Sequence, residues 1–181
     1  MSLIVLTLDM FKESQNRVKS IALVHEMLLR SQSFAGIRFK DYMHNLAAYL
    51  SHSYNAAPSG IFIKLNVDDV ILNIETAVPC GMIVNELVSN SLKYAFPGGR
   101  NGEVCVELHL EDNGSFRLII SDNGIGLDLD QQRMQTLGLK LVNVLVSQLD
   151  GALRLDSDQG TRFEINFWEL KYKERLIAKQ E

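Results

Sequence analysis

Cysteine is scarce in this chain: Cys80 and Cys105 are its only two, both in apolar surroundings and without metal-ligand company. A disulfide framework is thereby excluded, and reduced core thiols are expected. Basic charge is also short. The formal net charge is −4, which leaves no footprint for nucleic acid or any other polyanion surface. Long apolar runs are missing too: IALVHEMLL and IFIKLNV are brief and interrupted, and MSLIVL lacks a basic leader and a cleavage site. These absences predict a soluble, cytoplasmic chain with no membrane segment of its own, and leave open an anchor in a longer parent. No internal repeat or low-complexity tract occurs. Met1, Ser2 and Leu3 read as a cloning remnant and are set aside.

What is present suffices for one good core plus an appended element, since 46% of 181 residues are hydrophobic. From Phe11 to about Gln32 a heptad reading puts Phe11, Ser14, Val18, Ile21, His25 and Leu28 on one seam of a helix that needs a partner. Residues Phe34 to Arg38 interrupt it, and Tyr42, Leu46, Tyr49 and Leu50 mark a second amphipathic helix ending near Asn55. After Pro58 and Gly60 the period changes to that of strands. Ile61, Ile63, Leu65 and Val67 alternate, and Val70 to Ile74 reads as another short strand. Pro79 is expected in the first turn of a helix running to about Ala95 and stopped by Pro97-Gly98-Gly99.

A hairpin follows, with Val104, Val106, Leu108 and Leu110 alternating up to Asp112-Asn113-Gly114, and Phe116, Leu118 and Ile120 alternating back. A helix from about Gln135 to Leu149 and a closing hairpin around Gly160 complete the pattern. The fold class expected is α+β: a two-layer sandwich of a mixed, mainly antiparallel sheet with helices on one face, preceded by an N-terminal helical arm. Predicted boundaries are an arm over 1–57, the main domain over 58–170, and a tail over 171–181 that is solvated or briefly helical.

Chemistry gathers in four places. IISDNGIGLD ends a strand in Asp122, Asn123, Gly124, Ile125 and Gly126. This is either a tight turn or a nucleotide pocket in which the glycines admit a ligand and the acid hydrogen-bonds a base. On the helix before it, Glu86 and Asn90 are four apart and share a face, with Lys93 and Tyr94 one turn on. A plain polar stripe explains them as well. Short oxygen ligands of this kind also suit magnesium, which keeps few protein ligands beside phosphates and water. Gly138 sits where a loop enters a helix and could present backbone N–H groups to phosphate. Gly160-Thr161 heads a strand.

In this order, NELVSNSLKYAF, SDNGIGL, TLGLKLV and QGTRFEI resemble the N box and glycine boxes of an ATP-binding fold. Gyrase-type ATPases, Hsp90-like chaperones, mismatch-repair ATPases and sensor histidine kinases share that fold. The resemblance covers about residues 60 to 168. It implies ATP and Mg2+ as cofactors, with Asn90 ligating the metal and Glu86 orienting metal-bound water or assisting chemistry. Asp122 would bind the adenine amino group, supported by Thr161 through a hydroxyl or a water. Gly124 and Gly126 would give backbone room, Gly138 with Leu139 would meet the phosphates, Lys93 could meet phosphate charge, and Tyr94 and Gly160 are further expected nucleotide-site residues.

The stretch FKESQNRVKSIALVHEMLLRSQSFAGIRFKDYMHNL resembles the second dimerisation helix of a bacterial sensor histidine kinase subfamily. In that subfamily the phosphorylated His lies on a preceding helix with an H-R-V-K-N-N type stretch, so His25 is expected to be structural. The resemblance implies a homodimer through the N-terminal helix and a response regulator as partner. It also implies ATP binding by these residues without autophosphorylation. One departure from the commoner kinase pattern is a short lid, between Gly126 and Gly138, without a phenylalanine box. Two rival readings stay open. One is a gyrase- or chaperone-like ATPase with Glu86 as the base; the other is a non-catalytic nucleotide-binding dimerisation module.

Overall fold

The alternating Ile61–Val67 segment forms the edge of a five-stranded sheet in the computed structural model, which describes residues 3–31, 36–127 and 137–170. The arm consists of α1 (Leu3–Ser31), a short strand β1 (Ile37–Arg38) and α2 (Phe39–Ser53). Then come β2 (Ile61–Val67), β3 (Ile71–Leu72), α3 (Ile74–Tyr94), β4 (Gly102–Leu110) and β5 (Phe116–Asp122). The chain closes with α4 (Leu137–Gln148), β6 (Ala152–Asp156) and β7 (Thr161–Phe167). Sheet order is β2-β4-β5-β7-β6, with β2 parallel to β4 and every other pair antiparallel. β1 and β3 form a separate two-stranded ribbon.

Period-2 patterning explains the layers. Val104, Val106, Leu108, Leu118, Ile120, Phe163 and Ile165 are buried with residues of α2, α3 and α4 in one hydrophobic cluster. The other face of β4 carries Glu103, Cys105, Glu107 and His109. This is the two-layer α+β arrangement expected. The β4–β5 hairpin turns where Asp112-Asn113-Gly114 predicts it: Gly114 has φ +83° and its N–H donates to Glu111 O at 2.8 Å.

Several expectations need correction. Pro79 lies inside α3 rather than in its first turn, because the helix begins at Ile74 under Asn73, whose side chain accepts the Thr76 N–H at 2.9 Å. The Asn cap sets the start, and Pro79 costs one backbone bond in the second turn. For the same reason the strand expected over Val70 to Ile74 shrinks to Ile71–Leu72. Helix α1 begins at Leu3, not near Phe11, since no glycine or proline interrupts the chain between them. Cys105 is not a core thiol. It faces the outer side of β4, where partial burial and Glu103 push its thiol up to about 11, while Cys80 is fully buried.

The arm packs by a different stripe from the seam. Asn16, Ser20 and Val24 turn inward, whereas Phe11 and Val18 are 64% and 67% exposed, and Ser14 and His25 are exposed with them. His25 therefore faces solvent in the single chain, contrary to expectation. The side chain of Leu28, the lid over 128–136 with the start of the helix expected near Gln135, and the tail over 171–181 lie outside the described residues. So does most of the interruption that begins at Phe34. Among the described residues no helix is long and apolar enough to cross a membrane.

Candidate active site

Asp122 is the last residue of β5, opposite Val104 of β4 and Thr161 of β7, and only 7% exposed. A buried carboxylate needs donors, and three are supplied. The backbone N–H groups of Gly124 and Thr161 donate to Oδ1 at 3.0 and 3.2 Å, and the Ser91 hydroxyl donates to Oδ2 at 2.7 Å. Two chain segments close in to achieve this. Ile125 N–H bonds to Ala95 O at 3.0 Å, so the DNGIG turn lies against the end of α3, and a Cβ on Gly124 would stand 2.4 Å from Ala95. Gly160 has φ +92°, and a Cβ there would stand 2.0 Å from the carbonyl oxygen of Asp122.

Between the turn and the helices lies a cavity of about 220 Å3. Leu87, Leu139 and Phe163 give it apolar walls; Asn90, Asp122 and Thr161 supply polar groups; Tyr94 and Gly126 also line it. An apolar slot with one buried acceptor at its side suits a flat heterocycle bearing an amino group. A second hollow of about 420 Å3 opens beside it and shares Asp122 and Thr161. Its walls carry Glu103, Asp156 and Asp158, which repel a triphosphate, so the smaller cavity is the better binding site.

Beyond Asn90, Glu86 approaches the start of α4. A Cβ on Gly138 would stand 2.8 Å from Glu86 Oε2 and 3.9 Å from Asn90 Nδ2, so the acid, the amide and the first turn of α4 meet there. Glu86 is 5% exposed. Arg17 of α1 holds it with two bonds, Nε to Oε1 at 2.6 Å and a guanidinium NH2 to Oε2 at 2.8 Å, and Asn85 Nδ2 adds a third at 3.2 Å. The Asn90 amide, once turned to present its oxygen, and one carboxylate oxygen beside a helix N-terminus would form a donor set that fits magnesium carrying phosphates and water.

Of the residues singled out in the sequence, Asn90, Tyr94, Asp122, Gly126, Leu139 and Thr161 come together around the cavity. Glu86 and Gly138 adjoin its far end, while Gly124 and Gly160 shape the turn from behind. Lys93 is elsewhere: its ammonium lies 5.8 Å from the centre of the Tyr54 ring. Thr161 supports Asp122 through its backbone N–H.

The family described as Histidine kinase-, DNA gyrase B-, and HSP90-like ATPase matches residues 75–171, which is more than half of the chain. The chain belongs to that ATPase family. A second family, described as Histidine kinase, matches residues 6–54 and thus the arm. Among curated relatives, Blue-light-activated histidine kinase 2 of Erythrobacter litoralis is 27% identical over 177 residues, covering 93% of this chain and 50% of the relative. Sensor histidine kinase PdtaS of Mycobacterium tuberculosis is 30% identical over 147 residues, covering 78% and 28%. The chain thus spans half or less of the length of these relatives. In solved structures, the histidine kinase domain of the Erythrobacter litoralis EL346 blue-light activated kinase has a TM-score of 0.78 at 22% identity, covering 87% of this chain and 75% of that one. It shares the fold.

For this ATPase family member, ATP binding follows from the match over 75–171, and the cavity lies within it. Two residues escaped the sequence reading. Ser91 left one trace, a lone hydroxyl on the apolar row Ile83, Leu87, Ser91. Arg17 left none, because its partner is 69 residues away.

Proposed function

We propose that this chain is the nucleotide-binding catalytic region of a sensor histidine kinase, which passes the γ-phosphoryl group of ATP to a histidine on a neighbouring helix for relay to a response regulator. The observation that carries the reading is the convergence of Asn90, Asp122 and Thr161 on one apolar cavity. Asp122, held by Ser91 and two backbone N–H groups, accepts the adenine amino group, and Leu87, Leu139 and Phe163 exclude water from the ring faces. Asn90 and Glu86 would hold Mg2+, Glu86 through a water. When bound, the metal neutralises phosphate charge, which is where most of the barrier lowering in phosphoryl transfer arises. In the transfer, the bond from the γ-phosphorus to the bridging oxygen breaks as an imidazole nitrogen bonds phosphorus, and ADP leaves. Gly138 and Leu139 at the head of α4 present backbone to the phosphates. The exposed seam with Phe11 and Val18 is the face by which α1 meets a second copy.

Calorimetric titration with ATP and magnesium tests the pocket. Wild type binds, while Asp122→Ala loses at least about a hundredfold in affinity, since the heterocycle's amino group then meets an unanswered site. Undiminished binding by Asp122→Ala ends the adenine assignment. Phosphoryl chemistry is read on the full-length parent: the expected product is acid-labile phosphohistidine. Release of inorganic phosphate alone favours the gyrase- or chaperone-like rival.

A further inference from the structure

We propose that Arg17 is a positioning residue for Glu86: a side chain of the arm that fixes the carboxylate at the phosphate end of the cavity. The proposal rests on the reading of that cavity as an ATP and magnesium site. Three observations carry it. The pair is bidentate, with both guanidinium contacts below 3 Å, a geometry that sets the plane of a carboxylate as well as its charge. It is also largely buried, the side chains being 19% and 6% exposed. Finally, among the described residues the arrangement leaves Oε2 with one hydrogen-bond donor, from Arg17, and turns it to the side where Gly138 has no Cβ, near the Asn90 amide. Oε1, by contrast, accepts from Arg17 and from Asn85. The oxygen with spare capacity is the one beside the first turn of α4.

A glue for α1 alone would not need this pair. The inner stripe of α1 is already secured by Val24 in the core and by Asn16, which is 1% exposed. Asn16 accepts from Tyr49 at 2.9 Å and from Ser53 at 3.3 Å, and donates to Tyr54 at 2.9 Å. The Tyr42 hydroxyl adds a bond to Ser20 O at 3.0 Å. A buried ion pair stabilises poorly against its desolvation cost, so its use at this spot is better explained by orientation of the acid.

The test separates the two ends of the site by ligand. Adenosine reports the Asp122 end; the tightening of a non-hydrolysable ATP analogue by magnesium reports the Glu86 end. Arg17→Lys keeps the cation and loses the fork. Its expected result is wild-type adenosine affinity and a wild-type thermal midpoint, with the magnesium-dependent tightening reduced about tenfold or more. Glu86→Gln loses the same factor, and the double variant loses no more. Asn16→Ala guards against a folding artefact: it loosens α1 from α2, leaves the Arg17–Glu86 pair in place, and is expected to retain the magnesium effect. Magnesium tightening that is undiminished in Arg17→Lys, or equally diminished in Asn16→Ala, overturns the proposal. Failure of wild type to bind adenosine at all strikes instead at the nucleotide reading beneath it.

Discussion

The two ends of the cavity are built on different plans. At the proposed adenine end the carboxylate is held by the sheet, α3 and the turn after β5: Asp122 is gripped by Ser91, Gly124 and Thr161, and the turn that follows is tied to Ala95. At the other end, Asn90 of α3 meets Gly138 of α4, and Glu86 is held by Arg17 from the arm. On the proposed reading, recognition of the base is thus a property of the folded domain alone. The phosphate end depends on how three helices stand to one another, one of them outside the domain. Elements that shift in signalling are drawn from contacts of the second kind, because a helix can leave as a unit while the strand ladder stays closed.

The strongest way to break this contrast is to damage the adenine end through backbone. At Gly160 an alanine meets both a positive φ and the carbonyl oxygen of Asp122 at 2.0 Å, and no side chain there can swing aside. Gly160→Ala is expected to cost about 3 kcal/mol of stability, summing backbone strain and overpacking. Denaturant melts read that loss, and nucleotide affinity falls with it. Ser91→Ala removes one donor from a buried charge and is expected to cost about 2 kcal/mol. Here ATP should recover part of the loss in a ligand-dependent melt, since its amino group donates to the same carboxylate. An equal loss with and without ATP contradicts the adenine assignment.

How much was legible before the coordinates follows the same division. Strands, hairpins and α4 came from periods that are local, and the four boxes named the polar groups of the cavity. Asp122 and Asn90 were legible because chemistry and glycine spacing surround them. The start of α3 was misread because Pro79 is a louder signal than the cap at Asn73. The seam read for α1 lies exposed in the single chain, and the stripe that packs inward was not read, since Asn16, Ser20 and Arg17 are polar and invisible to a hydrophobic period. Their partners on α2 and α3 are far off in sequence, and nothing local distinguishes a guanidinium that will be buried. Cys105 was misassigned for the converse reason: its neighbours Val104 and Val106 are core, but strand alternation turns Cys105 to the other face.

The smallest expected effect on stability is also the sharpest test of the phosphate end. Gly138 has no positive φ to defend, and among the described residues the one close approach of an added Cβ would be to Glu86 Oε2, at 2.8 Å. A free glutamate would rotate away at little cost, and alanine is the better helix former by about 1 kcal/mol. Held by the Arg17 fork, the carboxylate cannot rotate without breaking a bond. Gly138→Ala should therefore leave the melting temperature close to wild type and adenosine binding intact, while weakening the magnesium-dependent binding of the ATP analogue. In an Arg17→Ala background the acid is released, so the same substitution should do little further harm. Parallel titrations of the two single variants and the double variant read that coupling directly.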